Sequence, residues 1–140
     1  MVNPMEDGVA YLKKLVRKYH LQLLLLFGSQ AEGTQHPRSD VDIAYYSKKD
    51  LDLMDEAHMI VDLAPVVKSE QIDLVNMKTA PPLLLQAIFK NPQLLYAKDT
   101  YLFSNLSAYA FKRYVEAKPL LTMRSERLKE IIVDHKPYDI

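Results

Sequence analysis

The alternation of apolar and polar positions along this chain predicts an α/β (α+β) fold with a small mixed sheet. Over residues 5–19, Val9, Leu12, Leu15 and Val16 recur at helical spacing with lysines and arginines opposite, which predicts an amphipathic helix. Residues 21–27 are almost continuously apolar, as in a strand buried on both faces, and Gly28 stops the run. Ser29 to Glu32 has the makings of one helical turn capped by Ser29, and residues 34–39 read as a polar loop around Pro37. Residues 41–46 form a second apolar run, read as a strand. Residues 50–66 predict a helix with Leu53, Met54, Ala57, Ile60, Val61 and Ala64 on its apolar side, ended by Pro65. Residues 71–77 alternate as a third strand, with Ile72, Leu74 and Asn76 on one face and Gln71, Asp73 and Val75 on the other. Pro81 and Pro82 open a helix that runs to about Lys90, prolines being tolerated in a first turn. Leu94 to Tyr96 suggests a short edge strand, and helices are expected over 101–118 and 120–133, separated by Pro119.

Composition narrows the class. A chain of 140 residues is most simply one domain, with a core over about 5–97 and C-terminal helices over about 101–133. Acidic and basic residues balance at 18 each, which gives no bulk attraction for nucleic acid. The absence of cysteine excludes disulfides, thiol catalysis and cysteine-ligated zinc. No apolar run approaches the roughly 20 residues of a membrane span. A soluble, cytoplasmic protein with neither direct nucleic-acid binding nor membrane attachment is expected. The four histidines show no ligand spacing, and Lys112-Arg113 and Arg124–Lys129 read as solvated helix faces, with contact to an acidic partner as the alternative for either group.

Chemistry concentrates between Leu21 and Tyr46. The first strand ends in Gly28-Ser29, ten residues follow, and Asp40-Val41-Asp42 opens the second strand. Carboxylates two positions apart on a strand face the same way, and such like charges call for a cation between them. Hard oxygen ligands suit magnesium. Free backbone N–H groups and a hydroxyl at a Gly-Ser turn suit phosphate. If the strand carrying Asp73 neighbours the Asp-Val-Asp strand, three carboxylates meet. Such a trio can hold two divalent ions about 3.5–4 Å apart, the arrangement used for in-line displacement at phosphorus. Asp73 could then also take up the proton of an attacking hydroxyl. Alone, each of these features is commonplace: most Asp-x-Asp pairs are solvated and most Gly-Ser steps are plain turns. Their conjunction is the informative observation.

That conjunction resembles the signature of the polymerase-β-like nucleotidyltransferase superfamily, and the small size resembles its minimal nucleotidyltransferase branch, the antitoxins of HEPN–MNT toxin–antitoxin pairs. The resemblance implies a mixed-sheet nucleotidyltransferase fold with Asp40, Asp42 and Asp73 as catalytic, metal-binding carboxylates. Gly28 and Ser29 match the pair that holds the nucleotide phosphates. It further implies two Mg2+ ions, ATP as substrate and a HEPN ribonuclease as partner, silenced when AMP is transferred to its tyrosine. One departure stands out. Related sequences often carry arginine shortly after Gly-Ser, where this chain has Glu32, and Arg38 could compensate for it. Two other readings accompany the first: an antitoxin acting by binding alone, and transfer to a small molecule of the aminoglycoside type. The second of these normally needs a larger helical domain for its acceptor.

Overall fold

A computed structural model describes residues 4–28 and 40–134 of the chain. Among them the order is α1 (Pro4–Tyr19), β1 (Leu21–Phe27), β2 (Val41–Ser47), α2 (Leu53–Val67), β3 (Ile72–Asn76), α3 (Pro82–Lys90), β4 (Gln93–Ala97) and α4 (Thr100–Asp134). The strands form one mixed sheet in the order β3-β2-β1-β4. β1 is antiparallel to both β2 and β4, and β2 is parallel to β3. The expected mixed α/β architecture is therefore present, as is the edge strand around Leu94–Tyr96. The expected turn at Ser29–Glu32 and the loop over 34–39 lie outside the described residues.

Helices cover both faces of the sheet, which explains how a leucine run can serve as a central strand. On one face Leu15 and Tyr19 of α1 and Met59 and Leu63 of α2 pack on Leu21, Leu24, Val41, Ile43 and Tyr45. On the other, Leu85 and Ile88 of α3 and Ala110 of α4 pack on Leu23, Leu25, Phe27 and Ala44. The rings of Phe89 and Phe103 meet at 5.8 Å with a tilt of 57°, tying α3 to α4.

The first face is also fastened by polar groups. The Tyr19 hydroxyl donates to the Asp62 carboxylate at 2.5 Å, and Lys18 reaches the same oxygen at 2.9 Å. Tyr11 donates to the Asp62 carbonyl at 2.6 Å. A capping box starts α2: the Asp52 carboxylate accepts from the Asp55 N–H at 2.8 Å, and Asp55 returns the bond to the Asp52 N–H at 3.0 Å.

Three expectations about helices need correction. The inward side of α2 is Met59 and Leu63, whereas Leu53, Met54 and Val61 are 83, 63 and 71% exposed. This helix has apolar residues around most of its circumference, so periodicity alone left its rotation open. The contacts of Asp62 with α1 fix it. Pro65 does not end α2 but sits in its last turn, and the helix stops at Lys68 in the left-handed conformation (φ 55°). Pro119 does not divide the C-terminal segment either, since α4 runs through it. A proline there removes the hydrogen bond to the Val115 carbonyl and crowds that carbonyl. On an exposed stretch rich in strong helix formers, however, water can take it and the helix continues. Among the described helices none is long and apolar enough to cross a membrane.

Candidate active site

Parallel pairing of β2 with β3 places Asp42 directly beside Asp73. The ladder is held at its two ends by Val41 N–H to Gln71 carbonyl at 2.8 Å and Met77 N–H to Tyr45 carbonyl at 2.9 Å. On the other side of β2, Asp42 faces Phe27, the last residue of β1. Asp40 immediately precedes β2, two positions before Asp42 and so on the same side. Asp42 is half-buried, while Asp40 and Asp73 are exposed. The carboxylates therefore gather where β2 and β3 begin and β1 ends, on the sheet face that carries α3 and α4.

Electrostatics agree with this placement. The Asp42 carboxyl is pushed above its ordinary value, first by burial and then by the charges of Asp73 and Asp40. Oxygen donors of this kind are the hard ligands that magnesium takes. Among the described residues, however, no three carboxylate or histidine side chains stand close enough together to enclose an ion. The arrangement gathers negative charge at one end of the sheet without closing a coordination shell.

Gly28 has a structural reason to be glycine. Its backbone is left-handed (φ 75°), and a Cβ there would strike the Asp42 carboxylate. The chain thus leaves β1 by turning tightly past Asp42, leaving its backbone close to that carboxylate group. Ser29, Glu32 and Arg38 lie outside the described residues.

A second feature shares this face. Tyr46, about 13 Å further along β2 than Asp42 at a strand's rise per residue, lines a groove of about 660 Å³ with Met77, Lys78, Phe89, Tyr109 and Arg113. The Lys78 ammonium lies 5.4 Å from the centre of the Tyr46 ring and 3.3 Å from Asp50. Sequence reasoning did not single out Tyr46 or Lys78, and it read Arg113 as part of a solvated face. The available signal was the period of two that puts Asp42, Ala44 and Tyr46 on one side of β2.

Comparison with known proteins gives a consistent picture. The family described as polymerase beta, nucleotidyltransferase, matches residues 11–101. The protein adenylyltransferase MntA of Shewanella oneidensis is 36% identical over 86 residues, which are 60% of this chain and 61% of that relative. The matched part is thus less than two thirds of the relative's length. A chain in a crystal structure of a toxin–antitoxin with AMP-PNP is 27% identical, with a TM-score of 0.69 over 88% of this chain and 97% of the other. A chain in the structure of the tri-AMPylated Shewanella oneidensis HEPN toxin with its MNT antitoxin shares the fold, with a TM-score of 0.64 at 22% identity over 91% of this chain and 98% of the other.

Proposed function

This chain belongs to the polymerase beta nucleotidyltransferase family, and from that premise we propose that it is an antitoxin that transfers AMP from ATP to a tyrosine hydroxyl of a HEPN ribonuclease partner, neutralising it in the cytoplasm. The observation that carries the reading is the in-register pairing of Asp42 with Asp73, beside Asp40 and the Gly28 turn. The name of the Shewanella relative, a protein adenylyltransferase, and the AMP-PNP in the 27% identical toxin–antitoxin structure support AMP as the group transferred.

In this reading Asp40, Asp42 and Asp73 are the residues that would hold Mg2+, two ions in all, and Gly28 and Ser29 bind the nucleotide phosphates. Bound magnesium would supply Lewis-acid polarisation of the α-phosphoryl group and neutralise the leaving pyrophosphate. The residues of the chain do the rest. The missing side chain at Gly28 makes room for the Asp42 carboxylate, and backbone N–H groups of the turn would receive a phosphate. Asp73 accepts the proton of the tyrosine hydroxyl as its oxygen bonds to the α-phosphorus and the bond to pyrophosphate breaks. Burial and the charges of Asp73 and Asp40 disfavour the ionised Asp42 carboxylate, and cations held there would relieve that repulsion.

The test is transfer of label from α-labelled ATP, with magnesium, to the purified HEPN partner. The native chain labels the partner, and Asp42→Asn lowers the rate by about 1000-fold or more while the complex still forms. No labelling by the native chain, or undiminished labelling by Asp42→Asn, overturns the reading.

A further inference from the structure

Helix α4 is much longer than the body it packs against. Leu102, Phe103, Leu106 and Ala110 join the core under α3, and among the described residues no position of α4 beyond Ala110 belongs to either core. The inward stripe nevertheless continues. From Ala110 the helix steps by four to Tyr114, three to Ala117, four to Leu121, three to Arg124 and four to Leu128. Alternating steps of four and three keep one seam facing a partner helix along its whole length. Tyr114, Ala117 and Leu121 on that seam are only half-buried, and Leu128 is 57% exposed. A helix draws most of its stability from packing such a stripe, so this one is built to receive another element.

Charge identifies that element. At 100° per residue, Arg113 and Lys118 border the seam and Arg124 lies in it, while Arg127 falls further round the helix, beside Glu116. Glu126 and Glu130 fall on the opposite side, and Glu116 on the flank stands 3.9 Å from Lys112. The charges nearest the seam are thus all cations. A second copy of the chain would bring like charges against like, whereas a helix edged by Asp and Glu would neutralise them. Tyr109 and Arg113 also line the groove that ends on Tyr46, so the seam leads onto the carboxylate-bearing face.

We propose that the distal half of α4 is the docking surface for the toxin, engaged by an amphipathic toxin helix whose apolar seam is bordered by acidic residues. This rests on the reading of the chain as an antitoxin. It assigns recognition to α4 and chemistry to the strand ends, two separable parts of one molecule.

The experiment measures binding of the purified HEPN partner to the full chain, with circular dichroism and a melting curve as controls for folding. Four proteins are compared: native, Asp42→Asn, Leu121→Asp, and a variant with Arg113, Lys118 and Arg124 all changed to Glu. Asp42→Asn is expected to bind as the native chain does. Leu121→Asp and the charge-reversed variant are each expected to lose about 100-fold in affinity, in the range for a central interface residue. Native binding should weaken with added salt, and the charge-reversed variant should lose that dependence. Native affinity in both α4 variants overturns the surface while leaving the transfer activity intact. A native dimer in sedimentation that Leu121→Asp dissociates also overturns it, because a second copy then covers the seam. Failure of the native chain to bind any HEPN protein counts against the antitoxin reading instead. The surface is then decided by a 28-residue helical peptide with a leucine seam and glutamate borders. Tighter binding of this peptide than of its lysine-bordered counterpart upholds the surface, and equal or absent binding overturns it.

Discussion

The two faces of the sheet solve different problems. Beneath α1 and α2, Met59, Leu63, Leu24 and Ile43 are fully buried, and Asp62 locks the two helices together through Tyr19, Lys18 and Tyr11. Beneath α3 and α4 the core is as dry at Leu23, Leu25 and Ile88, but the same face also carries the carboxylates and the groove at Tyr46. One face is closed, and its polar groups are paired at Asp62, while the buried Tyr45 hydroxyl has no hydrogen-bond partner among the described residues. The other gathers like charges and keeps them accessible. The closed core and the proposed reactive groups thus lie on opposite sides of one set of strands, and period two on β2 makes the division residue by residue: Val41, Ile43 and Tyr45 inward to α1 and α2, Asp42, Ala44 and Tyr46 to the other side.

The comparison breaks if substitutions on the closed face alter chemistry, or if those on the open face alter only stability. The largest stability effect is expected for Leu63→Ala, which should lower the unfolding free energy by about 2–5 kcal/mol in denaturant titrations. The rate of AMP transfer per folded molecule should stay native. Gly28→Ala comes next. Forcing a side chain into the left-handed region costs about 1–2 kcal/mol, and here the new methyl also displaces the Asp42 carboxylate. Its transfer rate should fall proportionally more than its folded fraction; an unchanged rate would show that the close approach is not used.

The smallest effect is expected for Tyr19→Phe, at about 1.5 kcal/mol, the low end for a hydrogen bond to a charged group because Lys18 still pairs with Asp62. Its signature is pH dependence. Burial and then the bond to Asp62 raise the Tyr19 hydroxyl from 10.0 to about 12. A raised value means that the stabilisation is complete below about pH 10 and is lost as pH climbs through 12. For Asp62, burial opposes ionisation, but the bonds from Tyr19 and Lys18 outweigh it and hold the carboxyl below 3.8. That contribution is present above 3.8 and disappears as pH falls through the folded value. The gap between native and Tyr19→Phe melting temperatures should therefore be level across neutral pH and close at both extremes.

Much of this division can be read from the chain. The leucine run of β1 and the alternation in β3 announce strands because their periods differ from a helix's, and Asp40-Val41-Asp42 stands out as two charges opening an apolar run. The rotation of α2 cannot be read this way, since its apolar residues do not choose a side. The clamp that chooses for it joins Tyr19 to Asp62, 43 positions away, and no local pattern encodes such a pair. The continuity of α4 through Pro119 was hidden because a local rule about proline is outweighed by the helix formers on either side. Gly28 was read as a stop and a phosphate contact; that it also makes room for Asp42 needed the strand register.

The pairing of β2 with β3 has one more consequence. β3 is a five-residue strand at the edge of the sheet, with a neighbour on one side only. Peeling it from β2 separates Asp73 from Asp42 while both cores stay largely intact, and edge segments are where native proteins open most cheaply. The proposed site is therefore tied to an edge seam of the sheet. On the proposed function, heat, denaturant or a protease acting on β3 would silence transfer before the chain unfolds, and activity would track local opening at that edge rather than global melting.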